Sequence, residues 1–263
     1  MKIKDLAAVI ESFAPLSLQE SYDNSGLVVG NPEDEVHSAL LAVDVTEEVL
    51  DEAEREGCDI IITHHPIIFH PLKRFNSSNY VERCVERAIR RGIALYACHT
   101  NLDSAVGGMS WQVGSMIGLN DMSVLQPSAS GAETGFGVVG TLPRSESAMA
   151  LMSRIKSIFD DGAIRYSDIP SEEFMVQRVA ICTGAGGSLI DDALRANAQL
   201  YVTADLRYND FMRGDNRMIL ADIGHFESEF CAIRILFDIL SKKINTFAVR
   251  KSVNSRNPIH YLV

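Results

Sequence analysis

The sequence predicts an α/β protein with two α/β domains, each with a mainly parallel or mixed sheet flanked by helices. Short apolar runs of strand length alternate with amphipathic helical stretches. A stretch rich in Gly, Ser and Pro interrupts this alternation near the middle of the chain, and a second series follows it. With 263 residues, of which 46% are hydrophobic, the chain is long enough to form two hydrophobic cores.

The first half of the chain alternates strands and helices in a regular order. Leu6, Ile10 and Phe13 are spaced for one face of a short N-terminal helix. This order favours a mainly parallel sheet covered by helices, because parallel strands need a crossover connection. The predicted elements are strand Ala39–Val43, helix Glu47–Glu56 capped by Gly57, strand Ile60–Thr63, helix Tyr80–Arg91 ended by Gly92, and strand Ile93–Ala97.

The second half begins after residues 118–135, a stretch that we interpret as a connection. The predicted domains are therefore residues 1–125 and 126–263, and the C-terminal strand is a candidate to pack back on the first domain. The predicted strands are Gly137–Thr141, Val176–Cys182, Leu200–Thr203 and Met218–Asp222, and the predicted helices are Ser145–Phe159, Leu189–Asn197 and Ser228–Lys242.

Composition narrows the functional class. The net charge of −11 argues against binding to nucleic acid, because an acidic protein repels phosphate backbones. Five scattered cysteines without a CxxC motif indicate buried thiols in a reducing cytosol rather than disulfides or structural zinc. The sequence shows no targeting segment and no apolar run of the roughly 20 residues that cross a membrane, so a cytoplasmic location is expected.

Adjacent histidines follow a buried strand in the first half of the chain. Strand Ile60–Thr63 ends directly before His64 and His65, and Pro66 then stops regular structure. Ligand sites in open α/β sheets lie beyond the carboxyl ends of parallel strands, so both imidazoles are candidate metal ligands. The structural alternative is that one histidine caps the strand and the other is exposed to solvent.

Two further strand ends carry side chains of the same kind. His99 and Asp103 follow strand Ile93–Ala97, although an aspartate there is also typical of a turn or a helix N-cap. His225 and Glu229 lie just past a later strand, and their spacing puts them on one face of a helix that has begun by His225. Histidine and glutamate four residues apart also occur often by chance.

Together the three strand ends indicate a site for two divalent metal ions. Imidazoles and carboxylates without thiolates are typical ligands of zinc, iron, manganese or nickel, and they argue against an iron–sulfur cluster. Five ligands are too many for one metal ion that keeps an open coordination position. They are too few to fill the coordination shells of two ions, so positions remain for water or substrate, as in catalytic sites. The predicted ligands are His64, His65, Asp103, His225 and Glu229.

The same residues carry a resemblance to a known family, spread over nearly the whole chain. The matching segments are ESYDNSGLVVG (20–30), LLAVDVTEEVLDEA (40–53), DIIITHHPIIF (59–69), YACHTNLDSAVGG (96–108), TGAGGSLIDDAL (183–194) and DIGHFESE (222–229). On these motifs the chain resembles the GTP cyclohydrolase 1 type 2 homologs, also called the NGG-interacting-factor-like family. One departure is Asn209, where some relatives carry a histidine.

The resemblance implies a dinuclear metal site at the interface of two α/β domains, with the ligand role carried onto the same five residues. It also implies a ring-shaped homohexamer. The activity it implies is that of a metal-dependent hydrolase acting on a small nucleotide-like substrate, GTP by the family's name. The alternative is a non-catalytic metal-binding or regulatory protein-interaction module, to which the family's other name points.

Two other features carry open alternatives. His99 is a candidate to orient a ligand or to exchange a proton, and direct metal ligation is the alternative. The TGAGGS run at 183–188 has amides that could cradle a phosphate at a helix N-terminus, or it is a tight turn that enters a helix. Asp23 and Asn24 are interpreted as turn residues, with contact to a substrate as the alternative.

Overall fold

The chain separates into two units, each with its own β-sheet, in the computed structural model, which describes residues 1–129, 131–159 and 163–262. The first unit consists of Met1–Ala105 and Ala232–Arg256, and the second of Val106–Cys231 and Asn257–Val263. Each sheet mixes parallel and antiparallel pairs and is flanked by helices, which confirms the predicted fold class.

The helices and strands alternate along most of the chain. The strands are β1 Gly26–Val29, β2 Ser38–Ala42, β3 Ile60–Thr63, β4 Ala94–Ala97, β5 Asn120–Ser128, β6 Gly131–Ser147, β7 Arg165–Tyr166, β8 Met175–Ala185, β9 Leu200–Ala204, β10 Ile219–Asp222 and β11 Ala248–Lys251. The helices are α1 Ile3–Glu11, α2 Glu47–Glu56, α3 Tyr80–Arg91, α4 Thr100–Ser104, α5 Met109–Ile117, α6 Ala148–Phe159, α7 Ile190–Arg195, α8 His225–Glu229 and α9 Cys231–Lys243.

The first unit is built on a sheet with the order β1-β4-β3-β2-β11. Strand β1 is antiparallel to β4, and the other neighbours are parallel. Helices α2 and α3 have the predicted bounds, and each ends at a glycine in the left-handed conformation, Gly57 and Gly92. Because β2, β3 and β4 run in parallel, their carboxyl ends meet at one edge of the sheet, where His64, His65 and His99 follow β3 and β4.

The second unit is built on a sheet with the order β5-β6-β8-β9-β10-β7. Strands β8, β9 and β10 are parallel, and the outer pairs are antiparallel. Its hydrophobic core includes Ala180, Tyr201 and Leu220, one from each of the central strands. Among the described residues, no helix combines the length and the apolar character needed to cross a bilayer.

The predicted connection at residues 118–135 is wrong, because β5 and the start of β6 form an antiparallel pair there. The glycines in this stretch allow the backbones of the two strands to approach each other closely. A side chain on Gly135 would place its Cβ 2.1 Å from the carbonyl oxygen of Gln126. Strand β6 continues to Ser147, so the helix predicted from Ser145 begins at Ala148 instead. The predicted helix Ser228–Lys242 is divided between α8 and α9.

The compact units differ from the predicted domains for residues 106–125 and 232–256. Helix α5 packs against β6 and β8, so the residues around it belong with the second sheet. Strand β11 pairs in parallel with β2 and therefore extends the first sheet.

A buried carboxylate holds the C-terminal part of the first unit to α2. Glu52 is only 4% exposed and accepts hydrogen bonds from Ser252 Oγ at 2.6 Å and from the backbone amides of Val253 and Asn254 at 3.1 and 3.2 Å. Burial raises the pKa of Glu52, but these hydrogen bonds outweigh it and the pKa lies below its usual range. The carboxylate is therefore charged in the folded protein at neutral pH.

We expect Glu52→Gln to lower the free energy of unfolding by about 1–3 kcal/mol at pH 7, because a buried group loses charged hydrogen bonds. A lowered folded pKa contributes stability above the unfolded pKa, and this contribution is lost as the pH falls through the folded pKa. The difference between wild type and variant should thus shrink below about pH 4.5. Urea unfolding at pH 7 and pH 4 measures it, with the exposed Glu48→Gln as control. An equal loss at both pH values would contradict the prediction.

Candidate metal centre

His64 and His65 directly follow β3 at the carboxyl edge of the first sheet. The backbone there is fixed by neighbouring strands, since the amide of His65 donates to Val43 O at 3.0 Å. The His64 side chain is fully buried, and its Nδ1 lies 2.9 Å from the carbonyl oxygen of Cys98. A carbonyl oxygen only accepts, so Nδ1 carries the proton and Nε2 presents a lone pair.

Asp44 holds His65 in the same way. His65 Nδ1 lies 2.7 Å from Asp44 Oδ1, and Asp44 follows the carboxyl end of β2, the neighbour of β3. The His65 side chain is 23% exposed, so this imidazole reaches the surface of the unit while the His64 ring is enclosed. Nδ1 donates a hydrogen bond to the carboxylate, which again leaves Nε2 as the atom that can bind a ligand.

Asp23 performs this role for His99, whose Nδ1 lies 2.7 Å from Asp23 Oδ1. The Asp23 side chain is fully buried and also accepts hydrogen bonds from the backbone amide of Thr100 at 3.1 Å and from Ser25 Oγ at 2.9 Å. Burial alone would raise the pKa of Asp23, but the hydrogen bonds from His99 and Thr100 hold it well below its usual range. Asp23 is therefore an ionised carboxylate at the start of α4.

The three imidazoles of the first unit form one cluster, which we call the histidine group: His64, His65 and His99. Their ring centroids are 4.9, 5.2 and 5.4 Å apart, and one nitrogen of each lies within 4.8 Å of the others. Asp103, on α4, places Oδ1 3.7 Å from His64 Nε2. This donor set of imidazoles and a carboxylate suits a divalent transition-metal ion.

His225 and Glu229 face each other along α8 in the second unit, with Nε2 2.9 Å from Oε2. His225 Nδ1 lies 2.8 Å from Asp205 Oδ2. Burial lowers the pKa of His225, but the hydrogen bonds and charges of Glu229 and Asp205 outweigh it and raise the pKa to about 9. The pair follows the carboxyl end of β10, as predicted from the sequence.

The TGAGGS run lies at the end of β8, next to His225 and Glu229. Backbone amides of this run donate hydrogen bonds to side chains of the same unit. Gly184 N donates to Ser228 Oγ at 2.9 Å, and Gly186 N donates to Thr203 Oγ1 at 3.0 Å. A Cβ on Gly184 would lie 2.2 Å from Glu229 Oε1. These contacts favour a tight turn that positions Glu229, because the amides of both glycines already have partners in the protein.

The predicted ligands occupy these two groups: His64, His65 and Asp103 in the first unit, and His225 and Glu229 in the second. Their assignment as ligands stays a prediction. Sequence reasoning missed the roles of three carboxylates, which each accept a hydrogen bond from a histidine Nδ1: Asp23, Asp44 and Asp205. Asp44 and Asp205 each follow a strand end, a signal that the sequence does contain.

Comparisons with known proteins find similarity over all or nearly all of the chain. A model of the family described as Duf34/NIF3 (NGG1p interacting factor 3) matches residues 1–258. A GTP cyclohydrolase 1 type 2 homolog from Lactococcus lactis is 34% identical over 266 residues, which cover 99% of each protein. The homolog of the same name from Clostridium perfringens is 32% identical over 267 residues and 100% of both. A Bacillus cereus protein related to NIF3 shares the fold, with a TM-score of 0.90 at 22% identity over 100% of this chain and 99% of that one.

Proposed function

This chain belongs to the Duf34/NIF3 family, and on that basis we propose that it binds two divalent metal ions and hydrolyses a small nucleotide-like substrate. The observation that carries the metal proposal is shared by four histidines. Each has its Nδ1 within 2.9 Å of an oxygen acceptor, which fixes the orientation of the ring. In His64, His65 and His225 this leaves Nε2 as the proposed ligand atom. The nucleotide-like substrate is proposed from the name of the relatives, GTP cyclohydrolase 1 type 2 homolog.

The residues that would hold the ions are His64, His65, Asp103, His225 and Glu229. Divalent ions there would supply Lewis acidity and a water of lowered pKa for hydrolysis. The chain itself supplies the orientation of the ligands. Asp44 fixes the His65 ring, and Asp23 fixes both His99 and the first turn of α4, the helix that carries Asp103. His99 Nδ1 is placed to donate a hydrogen bond to the Asp23 carboxylate.

Elemental analysis of the purified protein tests the metal proposal. We expect close to two divalent ions per wild-type chain and a clear loss in His65→Ala. His37→Ala is the matched control, because the His37 side chain is 76% exposed and lies outside both ligand groups. A metal content near zero in wild type after gentle purification would overturn the proposal.

Turnover is tested on the same metal-loaded protein, by formate release from GTP and by hydrolysis of a panel of nucleotides and phosphoesters. We expect activity that falls with the metal content of His65→Ala. Bound metal without any hydrolysis would overturn the hydrolase proposal and support a non-catalytic metal-binding module. The homohexamer implied by the resemblance is also a proposal, and mass measurement in solution tests it.

A further inference from the structure

A cavity of about 380 Å³ opens beside the histidine group in the first unit. His65 and Asp44 form part of its wall, so the cavity reaches a proposed metal ligand directly. Its volume lies in the range of pockets that bind small molecules. We call this cavity the ring pocket.

The remaining wall of the ring pocket is mainly apolar and aromatic. It includes Ile67, Phe69, Leu72 and Tyr80. The two aromatic residues are 39% and 56% exposed, so substantial ring area is available to a ligand. Exposed aromatic rings beside a polar site favour a flat apolar ligand, which they contact over a large area.

Neighbouring rings place Phe69 against the histidine group. The centroid of the Phe69 ring lies 6.0 Å from that of His99 and 6.3 Å from that of Tyr22, in edge-to-face arrangements. A ligand that stacks on Phe69 therefore lies next to the imidazoles proposed to hold the metal.

The charge of the ring pocket determines which part of a substrate it accepts. No lysine or arginine belongs to its described lining, whereas Asp44 contributes a carboxylate. The side chains of the lining therefore offer an anionic phosphate no lysine or arginine partner, and Asp44 would repel it. The pocket thus suits an uncharged portion of a substrate.

Hydrogen bonds at both ends hold the loop that forms the pocket, residues 66–79. Asn24 Nδ2 donates to Ile68 O at 2.7 Å near its start. Near its end, Glu82 accepts from the amides of Asn76 and Ser78 at 3.1 and 2.9 Å. Because the loop is anchored at both ends, the pocket is largely formed before a ligand binds.

We propose that the ring pocket binds the planar heteroaromatic ring of the substrate by stacking on Phe69 and Tyr80, and so presents that ring to the metal ligands beside His65. This inference rests on the proposed function, since it assigns a subsite of the same centre. A purine is a ring of this class, and Asp44 and His70 in the lining offer polar atoms for its polar edge.

Calorimetric titration of the metal-loaded full-length protein tests the subsite, with guanosine and adenosine as probes and ribose as the probe that lacks a base. We expect both nucleosides to bind and ribose not to. Phe69→Ala should weaken nucleoside binding roughly tenfold, a typical loss when a base loses its stacking partner. Phe69→Leu keeps apolar bulk without a ring and should also bind more weakly than wild type. Phe75→Ala is the matched control, because Phe75 is 57% exposed in the same loop but does not line the pocket.

Metal content measured on the same samples separates the two proposals. Metal-containing wild type that binds neither nucleoside, or Phe69→Ala that binds them as wild type does, would overturn the subsite and leave the metal proposal standing. Nucleoside binding that depends on Phe69 in a protein without metal would support the subsite and overturn the proposed function.

Discussion

Gly184→Ala is expected to remove most metal binding and to lower the free energy of unfolding by more than about 2 kcal/mol. Gly184 has a φ of +64°, where an L side chain is strained. Its Cβ would also lie 2.2 Å from Glu229 Oε1, so the carboxylate must move away from its place beside His225. Glu229 is only 3% exposed, and the packing around it leaves little room for that movement.

Gly57→Ala separates the effect of backbone strain from the effect of the clash with Glu229. Gly57 has a nearly equal φ of +65°, and nothing lies within 4 Å of its added Cβ. Its loss of stability should therefore come from backbone strain alone, about 1–2 kcal/mol, with metal content unchanged. Urea unfolding and elemental analysis of both variants give the comparison. If Gly184→Ala retains wild-type metal content, Glu229 is not a required ligand.

Asp44→Ala should weaken metal binding roughly 10–100-fold, the usual effect of removing a group that orients a ligand histidine. Without Asp44, the 2.7 Å hydrogen bond that fixes the tautomer and direction of the His65 ring is lost. Asp44→Asn keeps an oxygen acceptor but loses the charge, so it should fall between Asp44→Ala and wild type. Competition with a chelator of known affinity measures these differences.

Asp51→Ala is the control for a lost surface carboxylate. Its side chain is 62% exposed on α2, where it pairs with Arg87. We expect metal affinity to stay at the wild-type value, because an exposed ion pair of this kind contributes little. Equal affinities of Asp44→Ala and Asp51→Ala would show that Asp44 does not support a ligand.

The strand ends that carry the candidate site could be predicted from the sequence, because each combines local signals. An apolar run followed at once by polar residues locates the end of β3 before His64 and the end of β10 before His225. The spacing of His225 and Glu229 likewise predicts their common face on α8, where the two side chains meet at 2.9 Å.

The partners of the histidines could not be predicted in this way, since they depend on tertiary contacts. Asp23 lies 76 residues before His99, and only the antiparallel pairing of β1 with β4 brings their loops together. The β5–β6 pair was missed for a different reason. Its Gly, Ser and Pro content resembles that of a loop, but Gly135 is required there by the close approach of two backbones.

The first sheet is completed only by β11, a strand near the C-terminal end of the chain. The sheet begins with residues near the N-terminus, yet its outer strand Ala248–Lys251 is synthesised only after the whole of Val106–Cys231. On the ribosome, β2 must therefore remain an open edge while the second unit emerges. A nascent chain released before Lys251 would expose that edge, and with it a template for aggregation through strand addition.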